Sequence, residues 1–230
     1  MKRMLSILLA TVALCAEIET MPPTALSDNQ ETTVTTENLA DKLREDFKEK
    51  NKNRTAIVID KQGRELYFYK QGALVEGYPV PAVFGINEGC KERQGDLRTP
   101  EGEYFICTKN DKSEYSWFLG ISYPNAEDAE RGLQEGVITK KEADRIKKKL
   151  VEGSYDWYTG LGGEIGIHTI PHDLVGKVCA TCKDWTYGCI AIPYDAMQDL
   201  FTQTKTRTPV LIIGESYQSS VSAPKTLCNQ

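Results

Sequence analysis

EIGIHTIPHDLVGKVCATCKDWTYGCIAI, residues 164–192, is the stretch that decides the fold and the chemistry expected of this chain. Its opening EIGIHTI has the apolar pattern of a β-strand. The segment contains both histidines of the 230-residue chain, His168 and His172. It also contains three of the seven cysteines, Cys179, Cys182 and Cys189. A nucleophile and a base are the minimum for acyl transfer through a thioester, and here both lie within one short segment.

Outward from this segment, period-two apolar patterns predict a series of strands that begins at residue 54. They are TAIVID (55–60), ELYFYK (65–70), GALVEGYPVPAVFG (72–85), GEYFICTK (102–109), SWFLGISY (116–123) and PVLIIG (209–214). Helical patterns predict helices over 37–50, over about 125–134, after Thr139 and from Tyr194 to about Thr204. The Thr139–Glu142 tetrapeptide TKKE is a capping box. The sum is a mainly β fold with helical insertions.

The two ends of the chain differ from this β-rich middle. Residues 1–16 have a basic start and then an apolar run, which predicts a signal peptide and export. Cleavage near Ala16, lipidation of Cys15 and a retained anchor stay open, and membrane contact is expected only through such a segment. Residues 17–53 are interpreted as a linker and a short helix. Residues 54–214 then form one domain, and the polar stretch 215–230 is interpreted as a loose C-terminal tail.

The charge balance argues against one class of partner. The formal net charge of -5 is unlike that of nucleic-acid-binding proteins, which usually carry a basic face. The basic run KKEADRIKKK (140–149) is interpreted as a solvated helix face, or alternatively as a contact for an anionic polymer such as the cell wall. No cofactor is expected.

If the chain is exported, the number of its cysteines limits how they can pair. Cysteines in an oxidising compartment tend to pair. Without Cys15 six cysteines remain, and a free nucleophile leaves five, which cannot all pair within one chain. For Cys179 and Cys182 a disulfide is favoured. A zinc site built from His168, His172, Cys179 and Cys182 is the alternative, although it would consume the catalytic base.

Cys189 has the local features of a nucleophile. Gly188 before it permits close backbone approach and unusual dihedral angles. The amides around Tyr187, Gly188 and Cys189 are then candidates for binding an oxyanion. A thiol needs a base or a positive neighbour to react, and His168 on the preceding strand can take its proton if strand and loop are adjacent.

Three motifs resemble one known family. I-G-I-H (165–168) followed by T-x-G-C-I-A-I (186–192) resembles the catalytic signature of the L,D-transpeptidase (YkuD-type) domain. GDLRTPEGEYFI (95–106) is similar to that family's turn before a strand. FLGISYPN (118–125) is similar to the YafK-like branch. The resemblance covers about residues 54–214.

The resemblance implies a β-sandwich with the cysteine in a groove, and a ping-pong reaction on peptidoglycan stem peptides. Cys189 would be the nucleophile and His168 the general base and acid. The carbonyl of Thr169 would orient the imidazole, and the amides of Gly188 and Cys189 would form part of the oxyanion hole. An amine acceptor gives a cross-link or attachment of a wall lipoprotein, whereas water gives trimming or release.

The chain departs from the family pattern at several positions. Tyr187 stands where many members have histidine, Ala191 where many have arginine, and Thr169 where many have glycine or serine. The missing arginine favours the YafK-like branch, which includes members that resemble hydrolases. The groove candidates from the motif positions are Tyr187, Arg98, Tyr123 and Asn125. A hydrolase on the same scaffold and a non-catalytic wall-binding module remain the alternative functions.

Overall fold

The fold is seen in a computed structural model, which describes residues 36–114, 116–171 and 183–223. These residues all lie in one compact unit. The predicted signal peptide, the Thr-rich linker, His172, Cys179, Cys182 and Cys228 lie outside the described residues. Within the described ranges, no helix has the length and apolar character that crossing a bilayer requires.

In the part of the chain that the structure describes, nine strands form one mixed sheet. They are β1 (Thr55–Asp60), β2 (Glu65–Lys70), β3 (Ala73–Leu74), β4 (Val80–Pro81), β5 (Gly102–Ser113), β6 (Ser116–Ile121), β7 (Gly166–Thr169), β8 (Ile190–Ile192) and β9 (Pro209–Ile213). Their order is β3-β2-β1-β9-β5-β6-β7-β8, and β4 pairs with β2. Two neighbouring pairs are parallel, β1 with β9 and β7 with β8. The twelve-residue β5 pairs with β9 through its first four residues and with β6 from Ile106 onwards, so it joins the two parts of the sheet.

Five helices accompany the sheet in the described residues. They are α1 (Thr36–Lys50), α2 (Ala126–Gln134), α3 (Lys140–Val151), α4 (Tyr194–Gln203) and α5 (Glu215–Ser222). This mixed, curled sheet with helical insertions confirms the predicted fold class. The predicted capping box is present at α3, where the Thr139 hydroxyl accepts from the Glu142 amide and the Glu142 carboxylate accepts from the Thr139 amide.

The apolar runs of β1 and β9 are explained by burial on both faces of the sheet. Ile57 and Ile59 of β1 lie in the main core, whereas Val58 between them lies in a second cluster under α1. Successive side chains of a strand point to opposite faces, so a strand covered on both sides needs apolar residues throughout. Each of these isoleucines stabilises the fold by about 1.5–3 kcal/mol through burial.

The basic run on α3 is mostly paired with carboxylates. Lys147 contacts Glu130, and Arg145 contacts Asp156. Lys140 contacts Asp144 on the same helix. These contacts support the interpretation as a solvated helix face, because little unpaired charge remains for an anionic polymer.

Two sequence expectations differ from the structure. The stretch GALVEGYPVPAVFG forms only the two-residue strands β3 and β4, because turns and prolines interrupt it. The expectation of a loose tail is wrong for residues 215–222, which form α5. Tyr217 packs in the cluster under α1, and its backbone amide donates to the Glu101 carboxylate. The polar sequence of residues 215–222 does not predict these tertiary contacts of Tyr217.

The Glu101 carboxylate joins three parts of the fold at the start of β5. Its Oε1 accepts from Lys61 Nζ at 2.6 Å, and its Oε2 accepts from the Tyr217 amide at 3.0 Å. The Glu101 side chain is 3% exposed. A buried carboxylate with these partners is costly to disrupt, because removing it leaves the lysine charge uncompensated.

We expect Glu101→Ala to lower the free energy of unfolding by about 3 kcal/mol, as when a buried pair loses one partner. Glu103→Ala is the matched control, because Glu103 pairs with Lys50 at the surface. We expect that change to cost less than about 1 kcal/mol. Urea denaturation of both variants measures the difference. Equal effects would contradict a structural role for the buried carboxylate.

Candidate active site

The parallel pairing of β7 with β8 brings the candidate histidine and cysteine together. His168 on β7 is in register with Ala191 on β8, and Ile167 with Ile190. Cys189 is the residue before β8, so it lies one step back along this register, beside Gly166. Across β7, His168 pairs with Phe118 of β6. Two residues 21 positions apart in the sequence therefore meet at one end of the sheet.

His168 and Cys189 line the same surface groove, which has a volume of about 530 Å³. The other lining residues come from the β5–β6 hairpin and from the segment before β7. They are Thr108, Asn110, Lys112, Ser113, Glu114, Phe118, Trp157 and Glu164. The groove is open, and charged and aromatic side chains line it beside the cysteine.

The imidazole of His168 is held by its neighbours. Its Nδ1 lies 2.9 Å from the backbone carbonyl oxygen of Thr169. A carbonyl only accepts, so this contact assigns the proton to Nδ1 and leaves the Nε2 lone pair as the basic site. The Trp185 ring meets the imidazole edge-on at 5.8 Å between centroids. Burial lowers the pKa of His168, and the bond to Thr169 opposes that shift.

The thiol of Cys189 is half-buried and uncharged at neutral pH. Its Sγ lies 3.7 Å from the backbone carbonyl oxygen of Glu164, a distance suited to a weak S–H donor. Burial raises the pKa of Cys189 to about 11. The Gly166 amide and the charge of Lys91 act to lower that pKa, and the charge of Glu164 acts to raise it.

These opposite shifts favour a neutral thiol beside a neutral imidazole. A preformed thiolate–imidazolium pair would need the pKa of the cysteine below that of the histidine, and burial moves both pKa values the other way. The arrangement therefore fits proton transfer from sulfur to Nε2 as the thiol attacks, not before.

The loop that carries Cys189 depends on glycine at position 188. Gly188 has φ +123°, and a Cβ there would lie 2.6 Å from the backbone oxygen of Arg98. The next support is Thr186, whose hydroxyl donates to the Cys189 carbonyl at 2.7 Å and accepts from the Gly188 amide at 3.2 Å. The Gly188 amide is therefore used inside the loop, which leaves the Tyr187 and Cys189 amides as the better oxyanion candidates.

A second set of contacts fixes the loop to segment 82–86, which forms isolated β-bridges with it. The Asp184 carboxylate accepts from both Arg64 guanidinium nitrogens, at 2.8 and 3.2 Å, and from the Phe84 amide at 2.8 Å. Val83 exchanges two backbone hydrogen bonds with Ala191. Asp184 thus anchors the loop by charge as well as by packing. Ala191 is fully buried.

Two of the groove candidates lie elsewhere, and these predictions are corrected. Tyr123 is 0% exposed, and its hydroxyl donates to the Leu161 carbonyl, so it is a core residue. Asn125 caps α2 and donates to the Glu103 carbonyl, on a different surface pocket. Both side chains serve the fold because the motif positions that they occupy end β6 and begin α2.

The other two groove candidates flank the cysteine loop. The Arg98 guanidinium pairs with Glu92 at 3.0 Å, while its backbone oxygen lies against Gly188. Its main contact with the loop is therefore through the backbone. Tyr187 is 78% exposed next to Gly188, which leaves its ring accessible to a bound molecule.

Sequence reasoning assigned no role to Thr186, Glu164 and Lys91. Thr186 begins the cysteine motif and Trp185 precedes it, but only the fold shows their contacts with Cys189 and His168. Glu164 contacts the thiol through its carbonyl. Lys91 is buried, donates to Asp96 at 2.7 Å and supplies a positive charge toward Cys189. Lys91 lies in a polar stretch of the sequence, which gives no signal that its side chain is buried.

The structure describes only some of the cysteines on which the sequence predictions depend. Cys90, Cys107 and Cys189 are free thiols, whereas the predicted Cys179–Cys182 bridge lies outside the described residues. Three of the four hypothetical zinc ligands lie there too. Within ranges 36–114, 116–171 and 183–223, no group of three or more histidine, cysteine or acidic side chains is arranged to hold a metal.

Comparison with known proteins gives one family match. The model of the YkuD family, described as the L,D-transpeptidase catalytic domain, matches residues 54–212. No curated protein matches the chain. The comparisons do not test the predicted YafK-like branch, which stays a prediction.

Solved structures resemble the chain only in part. Bd1075 of Bdellovibrio bacteriovorus is 22% identical, with 73% of this chain and 52% of that chain covered and a TM-score of 0.43. The helical cell shape determining protein Pgp2 of Campylobacter jejuni is 19% identical, with 74% and 55% covered and a TM-score of 0.44. An L,D-transpeptidase from Mycobacterium smegmatis is 11% identical, with 70% and 59% covered and a TM-score of 0.41. The aligned region spans just over half the length of these proteins.

The raised thiol pKa can be tested by alkylation. We expect labelling of Cys189 by iodoacetamide to rise about tenfold per pH unit from neutral pH, because the thiolate is the reactive form. The midpoint of this rise should lie near pH 11. Peptide mapping by mass spectrometry follows this one cysteine. In the guanidinium-unfolded chain the midpoint should fall to roughly 8.5. A plateau already at neutral pH in the folded protein would show a preformed thiolate instead.

The glycine requirement at position 188 can be tested by one methyl group. We expect Gly188→Ala to lower the unfolding free energy by about 1–3 kcal/mol and to displace Cys189, since the Cβ meets a carbonyl. Gly77→Ala is the matched control, because Gly77 also has positive φ but no atom lies near its Cβ position. Thermal unfolding and Cys189 labelling rates measure both effects. Similar results for the two variants would exclude the clash as the cause.

Proposed function

Because the chain belongs to the family of L,D-transpeptidase catalytic domains, we propose that it is a cysteine acyltransferase that acts on peptidoglycan stem peptides. The observation that carries the proposal is the meeting of His168 and Cys189 in one open groove, with the imidazole oriented by the Thr169 carbonyl. The family suggests a cell-envelope location, which agrees with the export signal expected from the sequence.

In the first half-reaction the Cys189 sulfur attacks the carbonyl carbon of the third residue of the stem peptide. The thiol proton passes to His168 Nε2, the acceptor nitrogen of the tautomer in which Nδ1 holds its proton toward Thr169. The carbon–nitrogen bond to the terminal residue then breaks, and the leaving amine takes the proton from Nε2. A thioester on Cys189 and a free amino acid result.

In the second half-reaction an acceptor attacks the thioester. The acceptor gives a proton to His168, the carbon–sulfur bond breaks, and the proton returns to the Cys189 sulfur. An amine acceptor yields a cross-link or an attached lipoprotein, and water yields a trimmed peptide. The negative charge that develops on the carbonyl oxygen in both halves is directed at the amides of the rigid Tyr187–Cys189 turn.

The rigidity of the loop supports this assignment. The oxyanion donors must already be in place when the charge forms, since reorganisation at that moment raises the barrier. Five hydrogen bonds hold the turn. The Asp184 carboxylate accepts two from Arg64 and one from the Phe84 amide. The Thr186 hydroxyl donates to the Cys189 carbonyl and accepts from the Gly188 amide. The buried Lys91 adds a positive charge that stabilises the developing thiolate.

Incubation with purified disaccharide tetrapeptide tests the proposal. We expect intact-protein mass spectrometry to detect an acyl adduct on Cys189 with loss of the terminal residue of the peptide. Cys189→Ala should abolish the adduct. His168→Ala should slow its formation by about 10²–10⁴-fold, the usual contribution of a positioned base.

Cys107→Ala is the matched control, because Cys107 is another free thiol and lies outside the groove lining. We expect it to acylate at the wild-type rate. An unmodified protein with unchanged peptide, across tetrapeptides with different diamino acids, would contradict the proposed reaction and favour a wall-binding module. A trimmed peptide without any amine product would favour the hydrolase.

A further inference from the structure

Three aromatic side chains form a strip beside the candidate cysteine. Phe118 and Trp157 line the groove that contains Cys189. Tyr155 packs on the Trp157 indole, with 4.3 Å between the ring centroids and 40° between the ring planes. All three side chains are half-buried, and none belongs to the apolar clusters of the described residues. Packing of the core therefore does not account for this aromatic strip.

Two glycines on neighbouring strands make room for the strip. Gly120 on β6 pairs with Gly166 on β7. A Cβ at Gly120 would lie 3.0 Å from Trp157 Cη2 and 3.1 Å from Phe118 Cε1. A Cβ at Gly166 would lie 2.5 Å from the Phe118 ring. The two rings thus rest directly on the backbone of the sheet, and a side chain at either glycine would displace them.

The indole of Trp157 is held in a fixed position. Its Nε1 donates to the Ile121 carbonyl at 3.3 Å. At its other end, the Cβ of Trp157 lies 2.3 Å from the place where a Cβ at Gly163 would be. A ring that is already in place binds a ligand with little further loss of side-chain entropy. The strip therefore has the rigidity of a preformed binding surface.

The strip leads away from the thiol by a distance that can be compared with the substrate. Cys189 lies beside Gly166, and Gly166 lies beside Gly120, so two strand spacings, roughly 10 Å, separate the thiol from the edge of the indole. In the proposed reaction the attacked carbonyl belongs to the third residue of the stem peptide, whose first residue is attached to the sugar. Three extended residues also span roughly 10 Å. A peptide bound at Cys189 can therefore bring its sugar to Trp157.

We propose that the Trp157 indole, supported by Tyr155, binds the sugar ring that carries the stem peptide, so that the groove selects glycan-linked peptides over free peptides. This inference rests on the proposed function and adds a saccharide subsite to it. The C–H groups on one face of a pyranose ring carry partial positive charge, whereas the face of an aromatic ring is negative. The two faces attract each other, and both lose contact with water when they stack.

Polar side chains in the same groove suit the hydroxyl groups of a sugar. Thr108 and Asn110 of β5 line it, and the Thr108 methyl group shares the space over Gly120 with the rings. Ligand sites commonly combine aromatic surface with a few polar groups that fix the orientation of the ligand. The charged lining residues are of both signs, namely Lys112, Glu114 and Glu164. A neutral ring with several hydroxyl groups fits this lining better than an ion does.

The aliphatic chain of the diamino acid is the other apolar part of the substrate that could cover the strip. It belongs to the residue whose carbonyl is attacked, so it lies at the thiol. The ring closest to that place is Phe118, which lies over Gly166 beside Cys189. The Trp157 end of the strip, roughly 10 Å away, is therefore left for the sugar.

Two substrates with the same peptide test the subsite. Disaccharide tetrapeptide and free tetrapeptide are each offered to the wild-type protein, and intact-protein mass spectrometry follows the rate of acylation of Cys189. We expect the disaccharide form to react about tenfold faster, the effect of one stacked ring. Trp157→Ala should reduce the ratio of the two rates to about one. Trp157→Phe, which keeps a smaller ring and serves if the alanine variant does not fold, should give an intermediate ratio.

Tyr158→Ala is the matched control. Tyr158 follows Trp157 in the chain, is 80% exposed and does not line the groove. We expect this variant to leave the ratio of the two rates unchanged. The pH midpoint of Cys189 labelling by iodoacetamide is measured in every variant. A ratio that falls while this midpoint stays in place separates loss of sugar binding from damage to the reacting groups.

Binding without reaction gives a second readout. Cys189→Ala cannot be acylated, so calorimetric titration of this variant measures the Kd of each substrate. We expect the disaccharide form to bind about tenfold more tightly than the free tetrapeptide. Adding Trp157→Ala to this variant should remove the difference.

The outcomes distinguish this inference from the proposed function. Tighter binding of the disaccharide form without any acylation of the wild type would remove the proposed reaction and keep the subsite. Acylation of the wild type at equal rates by both substrates would overturn the subsite and leave the reaction intact. An equal loss for both substrates in Trp157→Ala would also overturn it, since the ring would then be serving the peptide. Neither binding nor acylation of either substrate would remove both proposals.

Discussion

The parallel pairing of β7 with β8 is the constraint on which the rest of the site depends. It sets His168 opposite Ala191, and so brings the turn before β8, with Cys189, beside the strand that carries the base. A slip of one residue would turn the imidazole to the other face of the sheet, because side chains alternate along a strand. The hydrogen bonds of Asp184, Val83 and Thr186 hold the segment that carries Cys189 in this same register.

Burial gives the candidate pair its chemical character. It raises the pKa of the Cys189 thiol and lowers that of His168, so both groups are neutral when no substrate is bound. Such a pair resists adventitious oxidation and alkylation, since the thiolate is the reactive form. In the proposed reaction, charge has to be stabilised only while the reaction proceeds, and the fixed amides and Lys91 are the groups proposed to stabilise it.

The strands and the cysteine–histidine motif were predictable because each has a local pattern. TAIVID and PVLIIG predicted strands, and the T-K-K-E box predicted the start of α3. The roles of Tyr123 and Asn125 were not predictable. A match to a motif shows which residue type is expected at a position, but it does not show where the side chain points. The helix at Glu215–Ser222 was missed because a single buried carboxylate, Glu101, and the packing of Tyr217 hold it in place.

The sequence by itself determined most of the strands and helices, the glycine before Cys189 and the presence of a histidine and a cysteine within one short segment. It did so because hydrophobic period, capping boxes and turn residues act over a few positions of the chain. Only the tertiary structure decided which carbonyl orients His168, which backbone amide is already hydrogen-bonded within the cysteine loop, and which charged groups act on the thiol. Those contacts join residues far apart in the chain, such as Arg64 with Asp184 of the cysteine loop, and their strength depends on burial that no local pattern reports.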